Sequence, residues 1–169
     1  FYIYTNLNAV NYRLVEAPID ASGQDNWKDV IAHRDDVFLR GVEYFKNYLA
    51  LDEMQEGLVK IRLIKWSDRS EHDIDFGEPA YYAGVGYNPE FNSDLVRYTY
   101  TSMTTPASTF DYNMETHEKQ LMKEEVVLGD FDKSNYKTER VMVTARDGKQ
   151  VPLSIVYRKD KFKKDGSMP

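Results

Sequence analysis

Apolar and polar residues alternate along most of this chain, and a two-residue period predicts β-strands. The alternation is clearest in runs that come in pairs, with a polar turn between the two members. The paired runs occupy residues 1–6 and 11–19, residues 47–53 and 57–66, and residues 96–103 and 108–115. Residues 115–123 have helical propensity, but this short run fits an edge strand equally well. The pattern therefore predicts an all-β fold.

The paired strands recur at a nearly constant interval. Tyr2, Tyr48 and Tyr98 occupy similar places in the three pairs, with 46 residues between the first two and 50 between the last two. A blade of a β-propeller repeats every 40–50 residues or so. A β-sandwich is the alternative, but sandwiches seldom repeat with so regular a four-strand period.

The segments between the pairs supply the other two strands of each blade. Residues 37–45 and 81–87 are predicted inner strands at the propeller axis, where Ala83, Gly84 and Gly86 permit close backbone approach. The predicted outer strands occupy residues 27–33, 72–76 and 119–127. We therefore predict a partial β-propeller of about three four-stranded blades, the first of them incomplete.

The end of the chain departs from this repeat. Two alternating strands, residues 140–145 and 151–158, flank an Arg-Asp-Gly-Lys turn at residues 146–149. A lysine-rich loop follows them. This arrangement is typical of the first hairpin of another domain, and residues 1–6 resemble the middle of a strand. We therefore expect the chain to be a fragment of a longer protein.

Composition narrows the class of protein and of partner. Hydrophobic residues make up 41% and charged residues 30%, which is unlike a disordered chain. The net charge of −6 gives no electrostatic footprint for nucleic acid, and no run approaches the ~20 apolar residues of a membrane span. We therefore expect neither nucleic acid nor a membrane as a partner. The lack of cysteine fits a reducing compartment, so a cytoplasmic location is expected.

Residues that carry catalytic or metal chemistry are sparse. The chain contains no G-x-S-x-G motif, and His33, His72 and His117 lie in different repeats without the spacing of a zinc site. Residues 130–135 are similar to the start of a calcium loop but lack its later glycine and glutamate, so a solvated acidic linker is favoured. We predict no catalytic, cofactor-binding or metal-binding residue and no cofactor.

Charged and aromatic groups allow two interpretations each. Acidic residues could line a channel that steers basic peptides, or could simply form an acidic surface. They are Asp20, Asp25, Asp29, Glu124 and Glu125. The aromatic residues are expected to pack between blades, and the basic segment 158–164 to be a solvated loop. The aromatic set is Tyr81, Tyr82, Tyr98, Tyr100 and Phe110.

Long motifs now make a family resemblance visible. Residues 30–53, 78–113, 123–141 and 144–160 carry it, including YTSMTTP, VLGDFD and ARDG-x-x-VP-x-S-x-VYRKD. In these motifs the chain resembles the oligopeptidase B (protease II) group of the prolyl oligopeptidase family of serine peptidases. The resemblance covers nearly the whole chain in the family's order.

The resemblance implies a seven-bladed β-propeller ahead of an α/β-hydrolase peptidase domain. On that template, residues 1–129 are the C-terminal blades, residues 130–139 the interdomain linker, and residues 140–169 the start of the peptidase domain. The Ser–Asp–His triad and the residues that recognise arginine or lysine would then lie outside this chain.

The implied function is therefore that of a parent enzyme, a serine endopeptidase that cleaves short basic peptides after arginine or lysine. The segment itself would contribute gating and exclusion of large substrates, with the missing peptidase domain as its partner. The alternative is a non-catalytic propeller module that binds a protein or a peptide. The isolated segment is expected to self-associate through its open sheet edges.

Overall fold

The computed structural model describes residues 1–167, and these form antiparallel sheets in which each strand pairs with the next along the chain. Sheet 1 contains β1 (Tyr2–Thr5), β2 (Arg13–Glu16) and β3 (Lys28–Ile31). Sheet 2 contains β4 (Val37–Tyr44), β5 (Tyr48–Gln55), β6 (Leu58–Lys65) and β7 (Glu71–Asp73). Sheet 3 contains β8 (Tyr81–Val85), β9 (Leu95–Ser102), β10 (Ser108–Asn113) and β11 (Lys119–Glu124). A separate hairpin contains β12 (Tyr136–Thr144) and β13 (Gln150–Arg158).

The burial pattern shows how the three sheets stack. In β9 every second side chain is buried, including Val96, Tyr98 and Tyr100, so one face of sheet 3 packs inward. In β5 consecutive residues are buried, because this strand has a sheet on each side. Its odd-numbered Leu49 and Leu51 join the apolar cluster shared with sheet 1, and its even-numbered Tyr48 and Ala50 join the cluster shared with sheet 3.

These two clusters confirm the predicted partial propeller. The cluster between sheets 1 and 2 consists of Leu14, Ile31, Leu39, Leu49, Leu51 and Ile64. The larger one, between sheets 2 and 3, includes Phe45, Tyr48, Ile61, Leu63, Tyr98, Tyr112 and Met114. Tyr48 and Tyr98 therefore share one core as the repeat implies, whereas Tyr2 is half exposed at the edge of the three-stranded sheet.

Different hydrogen bonds connect the elements at the two ends of the stacked sheets. At the hairpin end, which carries the turns Glu56-Gly57 and Met103-Ala107, the Arg140 guanidinium donates to the carbonyl of Glu56. At the opposite end, here called the far end, the Lys46 amide donates to the Phe91 carbonyl at 2.8 Å and so joins sheet 2 to the β8–β9 loop. The end of the predicted peptidase segment, Met168 and Pro169, lies outside the described residues.

Most strand predictions are confirmed, with two differences. Residues 119–124 form the edge strand β11, and residues 115–118 form its turn rather than a helix. The predicted linker 130–139 is partly strand, because β12 begins at Tyr136 and pairs with Arg158. The first four residues of β12, Tyr-Lys-Thr-Glu, lack the apolar alternation by which strands are identified. Within residues 1–167, no helix has the length and apolarity needed to cross a membrane.

Gly86, directly after inner strand β8, lies close to the backbone of the neighbouring strand β9, which leads to a testable prediction. A Cβ at Gly86 would lie 3.2 Å from the Arg97 carbonyl oxygen that accepts the Gly86 amide at 2.9 Å. We expect Gly86→Ala to lower the free energy of unfolding by about 1–3 kcal/mol, because backbone must move. Gly41→Ala is the control, since its Cβ would make an ordinary 3.8 Å contact with Asp52. Urea unfolding of both variants measures the difference, and equal stabilities would contradict the steric argument.

Candidate functional site

The inner strands of sheets 2 and 3 are joined by a charged bridge. Leu39 pairs with Glu53 and Gly41 with Asp52, so Arg40 is the extra residue of a β-bulge. A bulge changes the direction in which a side chain points. The Arg40 Nη2 atom donates to the Tyr82 hydroxyl at 3.0 Å, and the guanidinium carbon lies 5.4 Å from the centre of the same ring. Arg40 thus holds β8 beside β4.

Asp52 completes this bridge on the neighbouring strand β5. Its Oδ1 lies 3.6 Å from Arg40 Nε, and its Oδ2 accepts the Val85 amide at 3.4 Å. A Cβ at Gly84 would lie 3.6 Å from Oδ2, so the small residue leaves room for the carboxylate. Burial raises the pKa of Asp52, and the Arg40 charge offsets this in part.

Aromatic rings continue the site along the inner edges of sheets 1 and 2. The Tyr4 hydroxyl donates to the Leu39 carbonyl at 2.6 Å, and the ring stacks on Tyr12 with centres 4.7 Å apart. Tyr12 in turn meets Phe38 edge to face at 5.8 Å. Phe38 and Tyr82 keep 39% and 53% of their surfaces exposed, so this edge offers apolar rings beside a guanidinium.

The opposite face of β5 carries a buried ionic group. Glu53 is 3% exposed and accepts hydrogen bonds from Arg62 Nε at 3.1 Å and Nη2 at 2.7 Å. It also accepts from Arg34 in the segment that leads into β4. Arg62 reaches outward to Glu71 at 2.8 Å. Asp52 and Glu53 are neighbours on opposite faces of β5. Asp52 therefore contacts sheet 3 through the Val85 amide, and Glu53 contacts the segment that leads from sheet 1 into β4 through Arg34.

Two of the three histidines, which lie in different sequence repeats, are in contact in the fold. His72 on β7 stacks on His117 before β11, with ring centres 3.9 Å apart, and contacts the Tyr112 hydroxyl at 3.1 Å. Burial and the neighbouring His117 lower the pKa of His72. The pair therefore packs between sheets 2 and 3, a contact that the sequence does not reveal. His33 lies apart, 3.7 Å from the exposed Asp35.

The acidic residues do not line the inner strands. Asp29 lies on β3, at the side of sheet 1 away from β1, and forms an ion pair with Arg13 at 3.2 Å. Glu124 ends β11, the corresponding strand of sheet 3. Asp20, Asp25 and Glu125 are exposed in the adjoining loops. These positions favour the interpretation of an acidic surface.

The linker and the basic tail are ordered by local bonds. Asp132 caps a 3₁₀ turn over Lys133–Asn135 and accepts the Ser134 amide at 2.8 Å. Hydrogen bonding from the Ser134 side chain and amide lowers the pKa of Asp132. In the tail, the Phe162 ring stacks on Tyr157 with centres 3.9 Å apart. The tail is therefore a solvated loop, as predicted, because all of residues 158–164 except Phe162 are exposed.

The predicted packing role holds for four of the five aromatic residues, since Tyr81, Tyr98, Tyr100 and Phe110 pack in the cluster between sheets 2 and 3. Tyr82 is the exception, because its ring is exposed and its hydroxyl accepts from Arg40. Sequence reasoning missed the Arg40–Asp52–Tyr82 bridge. The available signal was the pair of opposite charges, Arg40 and Asp52, in two neighbouring strands that are largely apolar.

Comparison with known proteins assigns this architecture. Residues 1–125 match the family model described as "Prolyl oligopeptidase, N-terminal beta-propeller domain". The chain belongs to the prolyl oligopeptidase family. This confirms the family resemblance and the propeller fold.

Relatives within the prolyl oligopeptidase family differ in their named activities. The chain is 44% identical over 169 residues to dipeptidyl aminopeptidase BI of Pseudoxanthomonas mexicana and 30% identical over 156 residues to protease 2 of Moraxella lacunata. These alignments cover 99% and 92% of this chain. Oligopeptidase B from Leishmania major superposes with a TM-score of 0.80 at 30% identity over 94% of this chain. The chain spans 23%, 22% and 23% of the lengths of these three proteins.

The raised pKa of Asp52 predicts a pH dependence of stability for this family member. The folded chain keeps a proton on Asp52 at pH values where the unfolded chain, with an ordinary pKa of 3.8, has lost it. The stability supplied by Asp52 is therefore highest below that value and falls as pH rises through the raised native pKa. Asp52→Asn removes this dependence, so the difference in unfolding free energy should move in favour of asparagine between about pH 3 and about pH 7.

Urea titrations at several pH values test this expectation. Asp25→Asn, at an exposed position, is the matched control. A wild-type to Asp52→Asn difference that is flat with pH, or that moves toward aspartate, would contradict the assignment of a desolvated carboxyl group.

Proposed function

We propose that this chain forms the C-terminal blades of the propeller of an oligopeptidase B-like serine peptidase, which hydrolyses short peptides after arginine or lysine. The main support is the superposition on oligopeptidase B over 94% of the chain, which includes residues beyond the propeller match at 1–125. The domain division in this proposal is residues 1–129 for the blades, 130–139 for the linker and 140–169 for the start of the peptidase domain.

In this proposal the blades control access rather than chemistry. The stacked cores fix the inner strands β4 and β8, and the Arg40–Tyr82 bridge holds the two strands together near the axis. A channel with such rigid walls admits flexible peptides and excludes folded proteins. The crossing at residues 130–139 acts as the hinge between blades and peptidase domain.

The 44% identity to dipeptidyl aminopeptidase BI supports a second candidate, release of dipeptides from a free amino terminus. Two chromogenic substrates separate the candidates in the full-length protein. An endopeptidase cleaves benzyloxycarbonyl-Arg-Arg-p-nitroanilide, whose amino end is blocked. A dipeptidyl aminopeptidase cleaves Gly-Arg-p-nitroanilide and rejects the blocked substrate.

The same assays separate both peptidases from a non-catalytic binding module. The 169-residue chain alone is expected to be inactive, because it contains no G-x-S-x-G nucleophile motif. Hydrolysis by this chain would contradict the proposal that the blades control access and do not catalyse the reaction. No hydrolysis by the full-length protein, together with a gene that lacks the motif after Pro169, would favour the binding module.

We also propose that the isolated chain self-associates. The first strand of sheet 1, β1, pairs only with β2 within the described residues and leaves its other edge open. Unpaired backbone groups on such an edge pair readily with another chain. Light scattering across a range of concentrations is expected to show dimers, and a monomer at every concentration would contradict this.

A further inference from the structure

The β8–β9 loop at the far end, residues 86–94, is built as a rigid platform. The Asn88 side chain donates to the carbonyls of Gly86 at 3.0 Å and Arg97 at 3.1 Å, and it accepts the Arg97 amide at 2.7 Å. One amide side chain thus closes both ends of the turn. A loop held in this way loses little conformational entropy when it binds a ligand.

Neighbouring elements hold the rest of this loop. The Lys46 amide donates to the Phe91 carbonyl at 2.8 Å, and the Met114 amide donates to the Asp94 carbonyl at 2.9 Å. Ser93 closes a small turn by accepting the Leu95 amide at 2.9 Å. The loop is therefore attached to sheet 2 and to the end of β10, and its shape is set before any ligand arrives.

This rigid loop exposes two aromatic rings that its own fold does not use. Tyr87 is 84% exposed and Phe91 is 57% exposed. Neither ring stacks on another ring or on a cation within residues 1–167, whereas exposed Tyr2 stacks on Tyr44 and exposed Tyr82 lies under Arg40. Exposed aromatic rings on a fixed backbone are typical of binding surfaces.

A cavity of about 250 Å³ lies beside Tyr87, large enough for one long side chain, and Phe45, Pro89 and Leu95 are among its lining residues. Its polar part is acidic. Arg97 is neutralised by Asp111 through two hydrogen bonds of 2.7 Å each. The Glu90 carboxylate, also in the lining, has no hydrogen bond or ion pair in the part of the chain that the structure describes.

We propose that the β8–β9 loop binds a peptide segment by an arginine or lysine side chain, which enters the cavity beside Tyr87 and pairs with Glu90. The aliphatic stem of such a side chain suits the apolar lining, and its cationic head suits the Tyr87 ring and the free carboxylate. The loop itself carries no lysine or arginine that would repel it. This inference rests on the proposed function in one respect, namely that basic peptides are the substrates.

Binding can be measured separately from hydrolysis in the full-length protein. The probe is the peptide acetyl-Gly-Ser-Arg-Ser-Gly-amide, with the bond after arginine N-methylated so that it resists cleavage. Its partner is the same peptide with citrulline, which keeps the shape of arginine but lacks the charge. Ligand-detected NMR titrations give the affinities of both. We expect Tyr87→Ala and Glu90→Gln each to weaken the arginine peptide about two- to fivefold and to leave the citrulline peptide unchanged.

Matched controls are Leu128→Ala and Glu125→Gln, which remove an exposed apolar side chain and an exposed carboxylate elsewhere. Thermal unfolding checks that all four variants remain folded. If Tyr87→Ala and Glu90→Gln bind the arginine peptide as the controls do, the proposal is overturned, even when arginyl substrates are still cleaved. If no substrate is cleaved but both variants lose affinity, the loop proposal stands and the proposed function fails.

Discussion

Glu53→Ala is expected to lower the free energy of unfolding of the blades by about 3–5 kcal/mol. The Glu53 carboxylate is 3% exposed and faces the guanidinium groups of Arg34 and Arg62. Removing it leaves the 16% exposed Arg62 guanidinium beside an empty space, with much of its charge still out of water. Breaking one side of a buried ion pair is costly for this reason, whatever the net value of the intact pair.

Glu71→Ala is the matched control, because it removes a second carboxylate from the same Arg62 side chain. Glu71 is 53% exposed and bonds Arg62 Nη1 at 2.8 Å, so its loss should cost no more than about 1 kcal/mol. Urea unfolding followed by tryptophan fluorescence measures both variants, since Trp66 packs against the adjoining cluster. Equal costs for the two changes would show that burial does not govern this network.

The strands were predictable because one face of each pair meets a core. Residues Tyr48–Gln55 and Leu95–Ser102 carry enough apolar residues to identify them without a structure. The stacking of sheets was also implied, since the Tyr48 strand is apolar on both faces and a strand buried on both faces needs a sheet on each side. The 46- and 50-residue intervals then indicated a propeller.

The candidate site was not predictable, because it depends on pairing that the sequence does not display. Arg40 points toward Tyr82 because a single register shift makes it the extra residue in β4. No feature of the amino-acid sequence indicates that shift. Likewise His72 and His117 stack across two sheets although 45 residues separate them in the printed sequence. Local periodicity identifies strands, whereas contacts between sheets emerge only from their assembly.

Asp52 and Glu53 show how the alternation of side chains along one strand determines contacts with the sheets on either side. Period-two alternation places the first carboxylate toward sheet 3 and the second toward sheet 1. Each then finds its own arginine, Arg40 on one side and Arg62 on the other. The sequence alone shows two adjacent acids in a strand, which is usually a mark of exposure, and the two flanking sheets convert them into buried or half-buried partners.

Tyr98→Ala is expected to destabilise the fold by about 3–5 kcal/mol, measured by the same urea titration. Tyr98 is 1% exposed at the centre of the cluster between sheets 2 and 3, where its ring stacks on Phe110 at 5.4 Å and meets Phe76 edge to face at 5.5 Å. Tyr98→Phe keeps the ring and should cost less than about 1.5 kcal/mol. Tyr82→Ala removes the same kind of side chain from an exposed position and should cost clearly less than Tyr98→Ala, because burial decides the outcome. If Tyr98→Ala and Tyr82→Ala proved equally mild, the cluster would not be what holds the third sheet to the second.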